Sequence, residues 1–181
     1  MMNEVEIVKL GNPKLRLVSE PIPESEFGTS ELQKISELLF HMMKTKGGVG
    51  IAAPQIGINK RMFVFGMEKH PVYTSMVPVP YTVLINPELS FLTEEKEESY
   101  EGCLSIGSLR AKVPRYKKIF YTGFDVEGNK IEREVTEFHA RVIQHEYDHL
   151  DGIVFLDRVV NYKSLGFHEE LIASGLLKIN Y

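Results

Sequence analysis

His145-Glu146-Tyr147-Asp148-His149, followed by Leu150-Asp151-Gly152, is the stretch on which the reading of this chain turns. It spells HExxH within a segment of helical character. Residues four apart on a helix share one face, so His145 and His149 can close on a single metal ion. Glu146, one step round the helix, can reach a water on that ion and act as its general base. The pattern fixes only three positions, so a helix carrying two histidines by accident competes with this reading. The residues downstream narrow the class. HExxHxxGxxH proteases need a third histidine six positions after the second, and Phe155 stands there instead.

A third ligand must come from elsewhere. A zinc peptidase of the His₂Glu kind would draw on Glu169 or Glu170. These read more simply as the polar face of a surface helix. The alternative is Cys103, the chain's single cysteine, in Glu101-Gly102-Cys103-Leu104-Ser105. A lone cysteine is often just a small buried hydrophobe. Here Gly102 before it permits close approach, and a thiolate suits zinc or ferrous iron. One cysteine and two histidines leave a position open for water, the layout of a catalytic site. A third segment, Gly48-Val49-Gly50-Ile51-Ala52-Ala53-Pro54-Gln55, gives a backbone that a ligand can approach, with Gln55 as an amide donor. A dinucleotide fingerprint fails here because a helix precedes the glycines rather than a strand.

Together the three segments resemble the peptide deformylases, a family that carries GxGxAAxQ, EGCxS and HExxH in this order. Here the motifs stand at Gly48 to Gln55, Glu101 to Ser105 and His145 to His149. Asn86-Pro87, Val113-Pro114-Arg115 and Leu150-Asp151-Gly152 agree with the family's flanking text, and the resemblance spans roughly residues 5 to 160. It implies removal of the N-formyl group from formylmethionine on nascent polypeptides, with release of formate. It implies one divalent ion on Cys103, His145 and His149: Fe²⁺ as the native ion, with Zn²⁺, Ni²⁺ or Co²⁺ able to replace it. It implies catalysis by Glu146, aided by the Gln55 amide and the Leu104 backbone N–H. Substrate would meet Val49, Gly50, Gly102, Arg110, Phe138 and Val142. The bacterial cytoplasm is the implied setting. Some bacterial members dock on the ribosome through a basic C-terminal helix, and Asn161 to His168 is not strongly basic. Gly107 stands where many members carry proline.

Composition fits. At 181 residues a single domain, 1–181, with a substantial core is expected. Hydrophobic residues make up 43%, as in globular proteins, and a net charge of −4 speaks against direct nucleic-acid binding. No apolar run suggests a membrane span or a signal peptide. The single cysteine suits a reducing compartment.

Periodicity predicts a helix through Leu32, Ile35, Leu38, Leu39, Met42 and Met43, with Ser30 and Gln33 as a capping box, ending before Gly47-Gly48. Strands are predicted at 61–66, 81–85, 118–126 and 130–135, the last two joined by a turn at Glu127-Gly128-Asn129. Residues 67–80 read as a proline-bearing loop, and the acidic run 94–98 as a solvated turn or edge. Thr136 is placed to cap the HExxH helix, and a last helix is expected over 164–173. The fold class is α+β: antiparallel strands packed around a central HExxH helix, with helices at both ends.

Overall fold

The computed structural model describes residues 5–68 and 77–178. The first helix, α1 (Ser30–Thr45), buries Leu32, Ile35, Leu39, Met42 and Met43, the face that its period predicts. Its cap lies one residue earlier than expected. The Thr29 hydroxyl accepts from Leu32 N, so Ser30 already stands inside the helix.

Five strands form the larger antiparallel sheet. They are β1 (Gly50–Ala52), β2 (Met62–Met67), β3 (Val79–Phe91), β6 (Lys118–Phe124) and β7 (Lys130–Thr136), in the order β1-β2-β3-β6-β7. β3 outruns the predicted 81–85 because it continues through an irregularity at Asn86-Pro87. There the Asn86 side chain accepts from Ile22 N and donates to Ile22 O, which holds the break in place. Of the predicted loop 67–80, Met67 belongs to β2 and Val79 opens β3, while 69–76 lie outside the described residues.

Four strands were not anticipated: β1 above, and three more that form a second sheet. β4 (Lys96–Glu101) and β5 (Leu109–Tyr116) pair with each other, and the two-residue β8 (Gly166–Phe167) completes a smaller sheet ordered β4-β5-β8. The glutamate-rich β4 is an edge strand, exposed over most of its length. The chain crosses from β5 to β6 through Lys117 alone. Its N–H donates to Glu95 O and its carbonyl accepts from Glu137 N.

The HExxH helix, α2 (Glu137–Leu150), packs on β1 and β2 of the large sheet and on β5 of the small one. Thr136 occupies the cap position but makes no side-chain capping bond. The last helix is shorter than expected. α3 spans His168–Ala173, because 162–164 form a 3₁₀ turn and Gly166-Phe167 are drawn into β8.

His139 of α2 lies against Phe65, with ring centroids 5.5 Å apart, and its Nε2 is 3.4 Å from the Tyr121 hydroxyl. Burial, with the Arg133 charge nearby, pushes its pKa down to about 4. The unfolded chain takes up that proton near the ordinary value of about 6.5. Stability from this residue is therefore complete above pH ~6.5 and is lost as pH falls towards 4. Melting temperatures at pH 7 and pH 5 should fall less for His139→Gln than for the parent chain. An equal fall in both removes His139 from the acid response.

Candidate metal centre

Cys103 follows the end of β4 by two residues and is 6% exposed, while His145 and His149 stand one turn apart on α2. One ligand atom from each lies within 4.8 Å of the others, and Cys103 Sγ is 3.3 Å from His149 Nε2. His145 Nδ1 is 2.9 Å from Glu101 Oε2, which leaves Nε2 for a ligand. Burial opposes ionisation of the Cys103 thiol, but His149 and His145 beside it hold its pKa well below the ordinary thiol range. A thiolate with two imidazoles fits a divalent ion such as zinc or ferrous iron. Glu169 is exposed in the first turn of α3 and outside this group, so the His₂Glu peptidase set does not assemble.

Gln55 sits in a 3₁₀ turn directly after β1 and is buried. Its Oε1 accepts from Ala52 N at 2.9 Å, which fixes the amide. Its Nε2 then points at Ser105 Oγ (3.2 Å) and Cys103 Sγ (3.4 Å). Glu146 is 4% exposed, its Oε2 has no hydrogen-bond partner among the described residues, and burial raises its pKa to about 7. Gly50 passes so close to it that a Cβ there would meet Glu146 Oε1 at 2.4 Å. Only glycine fits without moving that carboxylate. Gly102 is constrained likewise, since a Cβ would meet the Arg110 guanidinium at 2.3 Å.

Behind the ligands lies a buried ionic network that motif reading did not reach. Arg115 forks onto both oxygens of Glu101 (2.9 and 3.0 Å) and also donates to Asp148 (2.6 Å). Arg141 donates to Glu101 and to the Val113 carbonyl, both at 2.8 Å, and Arg158 reaches Asp148 at 2.7 Å. Arg115, with His145, holds Glu101 far below the usual carboxylate range despite its burial. The available signal was Arg115 in Val113-Pro114-Arg115, but its partners are remote in sequence.

A cavity of about 580 Å³ opens onto this centre. The expected metal-ligand, catalytic and substrate-facing residues line it except His149, which is 1% exposed and lies behind, whereas Glu169 and Glu170 do not. Val49, Phe138 and Val142 form an apolar part of the wall, with Gly50, Gly102, Leu104 and Arg110 around it. Tyr100, His168 and Leu177 also contribute and were not anticipated.

The family model described as polypeptide deformylase matches residues 4–164. Peptide deformylase 2 of Pseudomonas putida is 42% identical over 166 residues, covering 92% of this chain and 93% of that one. Peptide deformylase 1 of Nitrosomonas europaea is 44% identical over 165 residues, 91% of this chain and 93% of its own. The Met-Ala-Ser-bound crystal structure of class I type b peptide deformylase from Acinetobacter baumannii superposes with a TM-score of 0.83 at 31% identity. It covers 88% of this chain and 100% of that one. The Thermotoga maritima peptide deformylase gives 0.75 at 34% identity, over 88% and 99% of the two chains.

Proposed function

The chain belongs to the peptide deformylase family, and from that premise we propose that it hydrolyses the N-formyl group of formylmethionine at the amino terminus of new polypeptides, releasing formate. The observation that carries the reading is the convergence of Cys103, His145 and His149 within 4.8 Å, on a cavity that also holds Glu146 and the clamped amide of Gln55.

Cys103, His145 and His149 would hold the ion, Fe²⁺ natively and Zn²⁺, Ni²⁺ or Co²⁺ in its place. When bound, such an ion supplies Lewis acidity and brings water into its ionising range near neutral pH. Glu146 takes the proton of the attacking water and later hands it to the leaving amine. The Gln55 amide and the Leu104 N–H donate to the formyl oxygen as it gains negative charge. Val49, Phe138 and Val142 receive the methionine side chain. Gly50 and Gly102 let the peptide backbone approach as an added strand, with Arg110 beside it. The partners are nascent formyl-Met polypeptides in the bacterial cytoplasm. No helix among the described residues is long and apolar enough to cross a membrane. α3 has no basic residue in its last turn, which weighs against docking on the ribosome through a basic C-terminal helix.

The test is kcat/KM, with formate measured, on formyl-Met, formyl-norleucine, formyl-Asp and acetyl-Met peptides. Formyl-Met should be best and formyl-norleucine close behind, because an apolar pocket separates similar side chains by only about 1–3 kcal/mol per methylene. Formyl-Asp should be very poor, as should acetyl-Met, whose extra methyl crowds Gln55. Comparable rates for acetyl and formyl substrates would sink the reading. Gln55→Ala should keep its metal and lower kcat by about 10²–10³, the scale of one oxyanion donor. An unchanged kcat takes Gln55 out of the mechanism.

A further inference from the structure

The family match ends at residue 164, yet the chain beyond it helps build the active-site cavity. β8 pairs with β5 through Leu109↔Phe167 and Arg110↔Gly166, and His168 N donates to Ser108 O at 2.8 Å. These bonds fix the segment beside the loop that follows Cys103. Leu171 is buried, and Leu177 folds back so that its N–H meets Leu171 O at 2.9 Å. His168 and Leu177 both line the cavity shared by Cys103, Gly102, Arg110 and Glu146. Among the described residues the buried Nδ1 of His168 has no hydrogen-bond partner, which leaves Nε2 as the ring nitrogen available to a ligand. In either protonation state the ring can present an N–H there. Leu177, only 8% exposed, adds an apolar surface beside it.

A polar donor next to an apolar wall is what an extended peptide needs, one for a backbone carbonyl and the other for a side chain. We propose that residues 166–177 form a subsite for the part of the peptide that follows the formylated methionine, with His168 donating to a backbone carbonyl and Leu177 packing on a side chain. The proposal rests on the deformylase reading for its choice of substrate. It gives the C-terminal segment a place in substrate selection.

The experiment compares kcat/KM for formyl-Met-Ala-Ser with that for formyl-Met amide, which has nothing to place in the subsite. Binding of Met-Ala-Ser is measured by calorimetry on the same metal-loaded preparations. For His168→Ala the tripeptide-to-amide ratio should fall about five- to tenfold, the size of one hydrogen bond, through KM rather than kcat. Met-Ala-Ser should bind correspondingly more weakly. His168→Gln, which keeps an amide N–H, should recover most of the loss. Leu177→Ser should lower the ratio too. An unchanged ratio in His168→Ala and Leu177→Ser, or equal losses on both substrates, overturns the subsite. If the parent chain releases formate from neither substrate, the deformylase reading fails, while Met-Ala-Ser binding by parent and variants still decides the subsite.

Discussion

Glu146→Gln should abolish most turnover while leaving metal content unchanged. Glu146 lies within the HExxH turn but outside the Cys103-His145-His149 group, so its loss removes a proton carrier and no ligand. Positioned general acid–base groups contribute about 10²–10⁴ in rate, and kcat should drop within that range. Glutamine matches the carboxylate in size, so the close packing against Gly50 survives and the fold is not the variable. Metal per chain by mass spectrometry and kcat on a formyl-Met peptide check this together. Loss of metal with the fold intact would mean that Glu146 is a ligand. Full activity would mean that the proton passes through another group.

Arg115→Met should be the most destabilising change in the network. Arg115 is 5% exposed and spans two carboxylates, Glu101 on the small sheet and Asp148 on α2. Removing one partner of a buried pair costs about 3–5 kcal/mol, because the remaining charge stays buried without compensation. Arg158 still reaches Asp148 and Arg141 still reaches Glu101, so the value should lie within that range rather than beyond it. For a chain of this size each kcal/mol shifts Tm by roughly 2–4 °C. Metal affinity should fall as well, by about 10- to 100-fold, because Glu101 orients His145. Calorimetric melting and a metal-competition titration measure the two effects. A Tm within a degree of the parent's would show that the network contributes no net stability.

The parts legible in the sequence are those that local pattern encodes. The heptad-like run from Leu32 to Met43 needs only its own period to declare α1, and HExxH needs only helical geometry to bring two imidazoles together. Cys103 could be named because its glycine neighbour and its two possible partners limit what it can do. β4 and β5 stayed hidden for the same physical reasons that they are unusual strands. Lys96 to Glu101 is mostly charged, and Pro114 interrupts β5 where a strand pattern should be cleanest. Both are held by pairing with each other rather than by propensity. The arginine network was hidden because its members come from β5, α2 and the turn after α2, and no local spacing relates them. His168 fell inside the expected helix 164–173 and Leu177 beyond it, and no local pattern linked either to the cavity that both line.

The single residue Lys117 between the two sheets sets a rule for anyone who wishes to re-engineer this protein. Its N–H and carbonyl join the approach to β4, the start of β6 and the first residue of α2, so the arm bearing Cys103 and the arm bearing both histidines have no slack between them. Lengthening the chain there would shear the two halves of the ion's cradle apart. By contrast, the Glu127-Gly128-Asn129 turn between β6 and β7 touches Phe27 and Gln33 but lines no part of the cavity. Reporter tags, crosslinking handles and inserted domains belong at that turn, where the chain can be opened without disturbing the architecture that the ion depends on.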